Sequence, residues 1–212
     1  MNILAVDCCL KFTELALMVN DSVIDSMSED LGRLQSRELP RMTEDIIRRN
    51  YITFSDIDYI ALTNGPGYFT GIRVGAAYAS GLAYACGVNI IPVSSLEMLA
   101  SDYASSPEKV LTLVYAGHGF VYASCKDFQT EFLPEGEYSH TQITSWLKEN
   151  PDSKIISDDP DKINLDVDML RVKPDVISLC RIARKKVNQG VNLSVSPLDL
   201  KILYYRAPQG VN

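Results

Sequence analysis

Residues 64–87, NGPGYFTGIRVGAAYASGLAYACG, constrain the fold more than any other stretch of this chain. A strand-like run, DYIALT at 58–63, ends in a turn at Gly65-Pro66-Gly67, and a helix built largely of small residues follows. Gly71, Gly75, Ala79 and Ala83 form one i, i+4 row on that helix, and Ala77, Gly81 and Ala85 form another. A glycine inside a helix costs up to about 1 kcal/mol relative to alanine. Three of them therefore call for close approach by another element along the ridge. Ile72, Val74, Tyr78, Leu82 and Tyr84 stand beside the small rows, so the helix is expected to be buried on more than one side. One cover is its own sheet. The other is either a neighbouring helix or a second chain, and the residues alone leave both open.

The turn itself invites a phosphate reading, because a helix N-terminus offers free N–H groups and a positive dipole end. Thr70 is placed to cap a helix beginning at Gly71. The pattern is neither G-x-G-x-x-G nor G-x-x-x-x-G-K-[ST], however, and no lysine lies between Lys11 and Lys109. A structural turn is the expectation. Asp7, at the end of the first strand, could hold a metal ion or activate water, but Cys8 and Cys9 follow it. A phosphate turn there would profit from hydroxyls or glycine N–H groups, and thiols are weak donors. Two buried thiols at a strand end are expected. The five cysteines include no C-x-x-C, and the two histidines, His118 and His140, have no metal-site spacing. His118 between two glycines reads as a turn residue. Arg181, Arg184, Lys185 and Lys186 make a basic stretch whose default is a solvated helix face. No nucleophile, base and stabiliser assemble.

The rest of the chain reads as two α/β halves. Strands at 3–7, 13–19 and 22–28 form an antiparallel meander, with a tight turn at Asn20-Asp21. A helix over 36–50 carries Leu39, Met42, Ile46 and Ile47 at helical spacing, with Pro40 tolerated in its first turn. After the small-residue helix comes a strand at 90–93. A helix capped by Ser94-Ser95-Leu96-Glu97 should then run to Tyr103. Strands at 110–115, 120–126 and 128–133, a helix at 141–149, a strand at 154–157, a helix at 176–188 and a tail over 200–206 complete the second half. The expected domains are residues 1–106 and 107–212, each of β-β-β-α-β-α type with a mixed sheet. Net charge is −7, with 7 Lys/Arg against 13 Asp/Glu in residues 1–106. Such a surface grips nucleic acid poorly. No apolar run approaches the ~18 residues of a membrane span, and the N-terminus lacks signal-peptide features. The expectation is a cytoplasmic protein with no membrane contact.

ILAVD at the start, GPGYFTGIRVGAAYASGLAYACGVNIIPVSSLEMLA in the middle and LYYRAP at the end resemble the TsaB family, also called YeaZ. The resemblance is ordered over residues 3–100 and looser over 110–206. It implies two duplicated actin-like (ASKHA/ribonuclease H-like) lobes with mixed sheets flanked by helices. It also implies a non-catalytic subunit of the bacterial machinery that makes threonylcarbamoyladenosine in tRNA. That subunit pairs with a TsaD-type catalytic subunit, a TsaE-type ATPase docks on the pair, and tRNA is met only through the complex. Homodimers also occur. ATP and a divalent metal are expected on the TsaD-type partner and none on this chain.

Carried over, the resemblance places docking on the helices at 36–50 and 70–86, with Leu39, Met42, Ile46, Thr70, Gly71, Val74, Gly75, Tyr78, Ala79 and Leu82 as partner-binding residues. The family usually has D-T-S where this chain has Asp7-Cys8-Cys9, and of a D-A-R-R-x-E-V-Y stretch this chain keeps Val121-Tyr122. The alternative is a stand-alone actin-like-fold ATPase or small-molecule kinase. It would need an adenosine-site Gly-Gly, and the chain has no such dipeptide.

Overall fold

The computed structural model describes residues 1–189 and 193–205. Strands β1 (Ile3–Asp7), β2 (Thr13–Val19) and β3 (Ser22–Glu29) form the expected meander. Asn20 and Asp21 have φ of 49° and 63°, the pair of left-handed residues that a two-residue hairpin turn needs and that Asn and Asp tolerate. Strands β4 (Tyr59–Thr63) and β5 (Asn89–Val93) add in parallel beyond β1, giving the order β3-β2-β1-β4-β5. β1 is buried along its whole length, as a central strand covered on both faces must be. Helices α1 (Gln35–Arg49) and α2 (Phe69–Cys86) cover the face carrying Leu4, Val6, Cys8, Leu15, Leu17, Ile60 and Leu62. Successive strand side chains point to opposite faces. The other face of this sheet is covered by α5 (Val176–Asn188), which meets β1, β2, β4 and β5 through Val176, Leu179, Cys180 and Ala183.

The second sheet repeats this plan. β6 (Val110–Gly117) is antiparallel to β7 (Phe120–Lys126) and parallel to β9 (Lys154–Ser157), just as β1 stands to β2 and β4. With β8 (Glu131–Ser139) and β10 (Leu170–Arg171) the order is β10-β9-β6-β7-β8, the first sheet's order read from the other edge. Its core joins Leu111, Leu113, Val121, Ala123, Cys125 and Leu133 to Ile143 of α4 (His140–Glu149). The fold is two lobes of duplicated topology, each built on a mixed sheet flanked by helices.

Several boundaries differ from the sequence reading. Among the described residues, the compact units are 1–98 with 175–203, and 99–174 with Tyr204 and Tyr205, rather than 1–106 and 107–212. Helix α5 was expected in the second half, but its apolar face belongs to the first sheet, a long-range preference that local pattern does not carry. The helix after β5 is only α3 (Ser95–Leu99), followed by a 3-10 turn at Ser101–Tyr103. β8 begins at Glu131 rather than 128 because Asp127 folds the chain back: its Oδ1 accepts from the N–H groups of Gln129 and Thr130. Pro40 lies in the second turn of α1, not the first. It supplies no N–H to the Ser36 carbonyl one turn earlier. Arg206, the end of the expected tail, lies outside the described residues.

Candidate docking face

The two small-residue rows of α2 have opposite fates. Gly71, Gly75, Ala79 and Ala83 are all buried against their own lobe, while Ala77, Gly81 and Ala85 are all exposed. The buried row is explained locally. The Cys8 carbonyl occupies the space a Cβ on Gly71 would need, the Cys9 carbonyl does the same at Gly67, and Cys8 Cβ lies 3.1 Å from the Cβ position of Gly75. Glycine at these positions lets the loop after β1 lie flat on the helix start. The exposed row has no such cause, since nothing lies within 4 Å of a Cβ built on Gly81.

The expected partner-binding residues therefore divide. Leu39, Met42 and Ile46 are buried in the hydrophobic core beneath α1, and Gly71, Gly75 and Ala79 are buried on the inner side of α2; of these six, Leu39 also lines the groove between the two helices. Leu39, Met42 and Ile46 are the apolar stripe of an amphipathic helix, and that stripe faces the helix's own sheet. Thr70 is exposed, and Val74, Tyr78 and Leu82 are half-buried along the outer side of α2. Thr70 does not cap: the helix starts at Phe69 with Tyr68 as N-cap, and the Tyr68 N–H donates to the Cys9 carbonyl at 2.7 Å. Burial raises the pKa of the Tyr78 hydroxyl. Between the helices runs a groove of about 450 Å3 lined by Ser36, Leu39, Arg73, Val74, Ala77 and Tyr78. Tyr84 projects from the same helix with 71% of its surface exposed. Arg73 is the one charged residue in the eighteen of α2.

The sequence reading named the exposed row but not as the outward one. The signal was present: Arg73, Ala77, Gly81 and Ala85 lie on one i, i+4 line, and a guanidinium at its head marks the solvent side.

The strand-end turn is packed around Asp7. Asp7 is 0% exposed, and its Oδ1 accepts from the Cys9 N–H at 2.9 Å and from the Thr63 hydroxyl. Burial raises its pKa against the lowering effect of those two donors. Burial likewise pushes the thiols of Cys8 and Cys9 up, with the Asp7 charge adding to it. The Gly65–Pro66 peptide is cis. Its loop is enclosed by the chain itself: Ser95 N–H donates to the Gly65 carbonyl at 2.9 Å, and Leu203 N–H donates to the Asn64 carbonyl at 2.9 Å.

Elsewhere, His118 has φ 50° between two glycines of positive φ, the geometry of a turn. The basic stretch of α5 is partly used internally, with Arg184 donating to the Asp21 carbonyl at 2.7 Å and Lys186 meeting Glu97 at 2.7 Å. Among the described residues no group of three or more His, Cys, Asp or Glu is placed to hold a metal ion, and no helix is long and apolar enough to cross a membrane.

Comparison with known proteins places this face in a lineage. The family model described as TsaD, tRNA N6-adenosine threonylcarbamoyltransferase, matches residues 27–179, which take in both α1 and α2. The tRNA threonylcarbamoyladenosine biosynthesis protein TsaB of Buchnera aphidicola subsp. Schizaphis graminum is 28% identical over 207 residues, covering 97% of this chain and 89% of that one. The chain belongs to the TsaB (YeaZ) family. TsaB of Escherichia coli K12 is 32% identical over 124 residues, 58% of this chain and 53% of that one. A Pseudomonas aeruginosa crystal structure, described as an uncharacterized protein with similarity to peptidase YEAZ, superposes with a TM-score of 0.81 at 23% identity, covering 97% of this chain and 99% of that one. That likeness carries the fold.

Proposed function

We propose that this chain is the TsaB-type subunit of the machinery that forms threonylcarbamoyladenosine in tRNA. In this reading it does no chemistry alone and activates a TsaD-type catalytic subunit by docking on it through the outer face of α2 and the rim of α1. ATP and a divalent metal belong to the TsaD-type subunit, a TsaE-type ATPase joins the pair, and tRNA reaches this chain only within the assembly. The observation that carries the reading is Gly81. It is an exposed mid-helix glycine with open space around it, flanked by Ala77, Ala85 and the exposed ring of Tyr84. Its cost of about 1 kcal/mol to the helix has no return within the lobe. A helix packed along that row from outside supplies one. The closed surroundings of Asp7 support the absence of catalysis on this chain.

The test is co-purification with the TsaD-type protein of the same organism, with threonylcarbamoyl transfer to tRNA measured with and without this chain. Gly81→Arg should leave the chain folded, abolish the complex and remove the stimulation. Full stimulation by the variant, or transfer by this chain alone, would overturn the proposal.

A further inference from the structure

Charge within residues 1–106 is unevenly placed. Of the seven cationic side chains in residues 1–106, six are arginines on α1, on α2 or in the 3-10 turn (Gly32–Leu34) that leads into α1: Arg33, Arg37, Arg41, Arg48, Arg49 and Arg73. Arg49 is committed to β3, with Nε and Nη2 on Asp25 at 2.5 and 2.6 Å. The other five stand against three carboxylates of α1, namely Glu38, Glu44 and Asp45. The rest of residues 1–106 sets ten carboxylates against Lys11 and Arg49. Within residues 1–106 the α1–α2 layer is thus locally cationic; α5, with Arg181, Arg184, Lys185 and Lys186, is a separate basic stretch of the same unit.

The arrangement turns the positive ends outward. Glu38 is shared by Arg37 at 2.6 Å and Arg41 at 3.0 Å, and its side chain is 16% exposed where theirs are 70% and 73%. One shielded carboxylate beneath two solvent-facing guanidiniums leaves net positive charge at the surface. Arg73, on the wall of the α1–α2 groove, has its guanidinium carbon 3.7 Å from the centroid of the Phe69 ring. This stacking fixes the guanidinium beside an apolar strip.

We propose that the surface received here is the acidic face of a different protein, with carboxylates opposite Arg37, Arg41 and Arg73 and an apolar side chain in the groove. The charge match selects that partner over a second copy of this chain. The inference rests on the docking reading above and names the chemistry of its partner. A two-fold pair would bring the same arginines toward one another, and like charges across an interface oppose association. The apolar, almost uncharged strip beside the arginines favours a protein over a phosphate backbone.

The test compares the complex with the TsaD-type protein and the self-association of this chain at about 50 and about 500 mM salt, a range over which screening changes strongly. The variants are Arg37→Glu/Arg41→Glu/Arg73→Glu and Gly81→Arg. The heterocomplex should weaken about tenfold or more with salt and about tenfold or more in the triple variant, while self-association tightens with salt. A heterocomplex lost in Gly81→Arg but indifferent to salt and to the triple variant would overturn the charge match and leave the docking face standing. Survival of the complex in both variants would overturn both. Binding of tRNA by this chain alone, lost in the triple variant, would make the face a nucleic-acid surface and also overturn the proposal. If the triple variant fails to fold, Arg37→Gln/Arg41→Gln/Arg73→Gln should still weaken the complex by about threefold or more, and no change would count against the match.

Discussion

The carbonyl oxygen of Cys8 fills the space in which a Cβ on Gly71 would sit. At Gly81, ten residues along the same helix, that space is empty. Two glycines of one helix thus differ: the loop after β1 requires the first, and nothing within the lobe packs on the second. Gly71→Ala must displace backbone rather than a side chain, and it should cost about 3 kcal/mol or more. Gly81→Ala should stabilise the isolated chain by about 0.5–1 kcal/mol through helix propensity and reduced unfolded-state entropy. Urea melts of the two variants check the contrast, and equal destabilisation of both would remove the argument that Gly81 faces out.

Tyr84 and Leu39 make a second contrast, between a residue kept for contact and one kept for packing. Tyr84 is mostly exposed and Leu39 is wholly buried beneath α1. Leu39→Ala should cost about 2–5 kcal/mol of stability, as cavity-forming substitutions do. Tyr84→Ala should change stability by less than about 0.5 kcal/mol. It should nevertheless weaken the complex with the TsaD-type protein about tenfold, since exposed aromatics are common anchors. Calorimetry of folding and of binding separates the two effects. A Tyr84→Ala chain of unchanged affinity would place that end of α2 outside the contact.

The cysteines are a packing set. Cys8, Cys9, Cys125 and Cys180 are buried, and Cys86 is half-buried at the end of α2. Burial, the leading cause in each case, pushes the thiols of Cys125 and Cys180 up to about 12 and raises those of Cys8 and Cys9. Thiolate is the reactive species. The native chain should therefore react with a thiol reagent slowly and at Cys86, and the denatured chain at all five cysteines. Rapid native labelling of Cys8 or Cys9 would reopen the strand end as a reactive site.

Much of the first lobe was legible because its signals are local. The hairpin turn at Asn20-Asp21, the apolar run of β1 and the stripe of Leu39, Met42, Ile46 and Ile47 each report on neighbours within a few residues. Which small row of α2 faced outward was not legible from size alone, because close approach by Cys8 and close approach by a partner call for the same residues. Arg73 broke that tie. The placement of α5 depended on a sheet some eighty residues or more earlier in the chain, and amphipathic periodicity identifies an apolar face without naming its cover. The stripe of Leu39, Met42 and Ile46 has the same ambiguity: its spacing marks an apolar face, and the structure buries that face against the lobe's own sheet.

The turn after β9 supplies a dependence on pH. Asp158 is largely withdrawn from water, its Oδ1 has no hydrogen-bond partner, and Asp159 follows it. Burial first, and then the Asp159 charge, raise its pKa from an ordinary value of 3.8 to about 6. The neighbouring cations are held elsewhere: Lys162 meets Asp159 at 2.9 Å, and Arg171 meets Asp159 at 3.1 Å and Asp161 at 2.6 Å. Below pH 3.8 both folded and unfolded chains keep the Asp158 proton, and nothing is lost. Between about pH 4 and 6 the unfolded chain releases that proton while the folded chain retains it, so stability falls as pH rises. Above about pH 6 the folded state carries the whole cost, about 2 kcal/mol once the partial contact of the side chain with water is allowed for. Asp158→Asn should therefore match the parent chain near pH 4 and exceed it by about 2 kcal/mol at pH 7. Asp7, whose pKa is also raised, is common to both chains, so the difference between their stability curves isolates Asp158. Parallel curves across that interval would mean that Asp158 ionises in the folded protein as it does in the unfolded one.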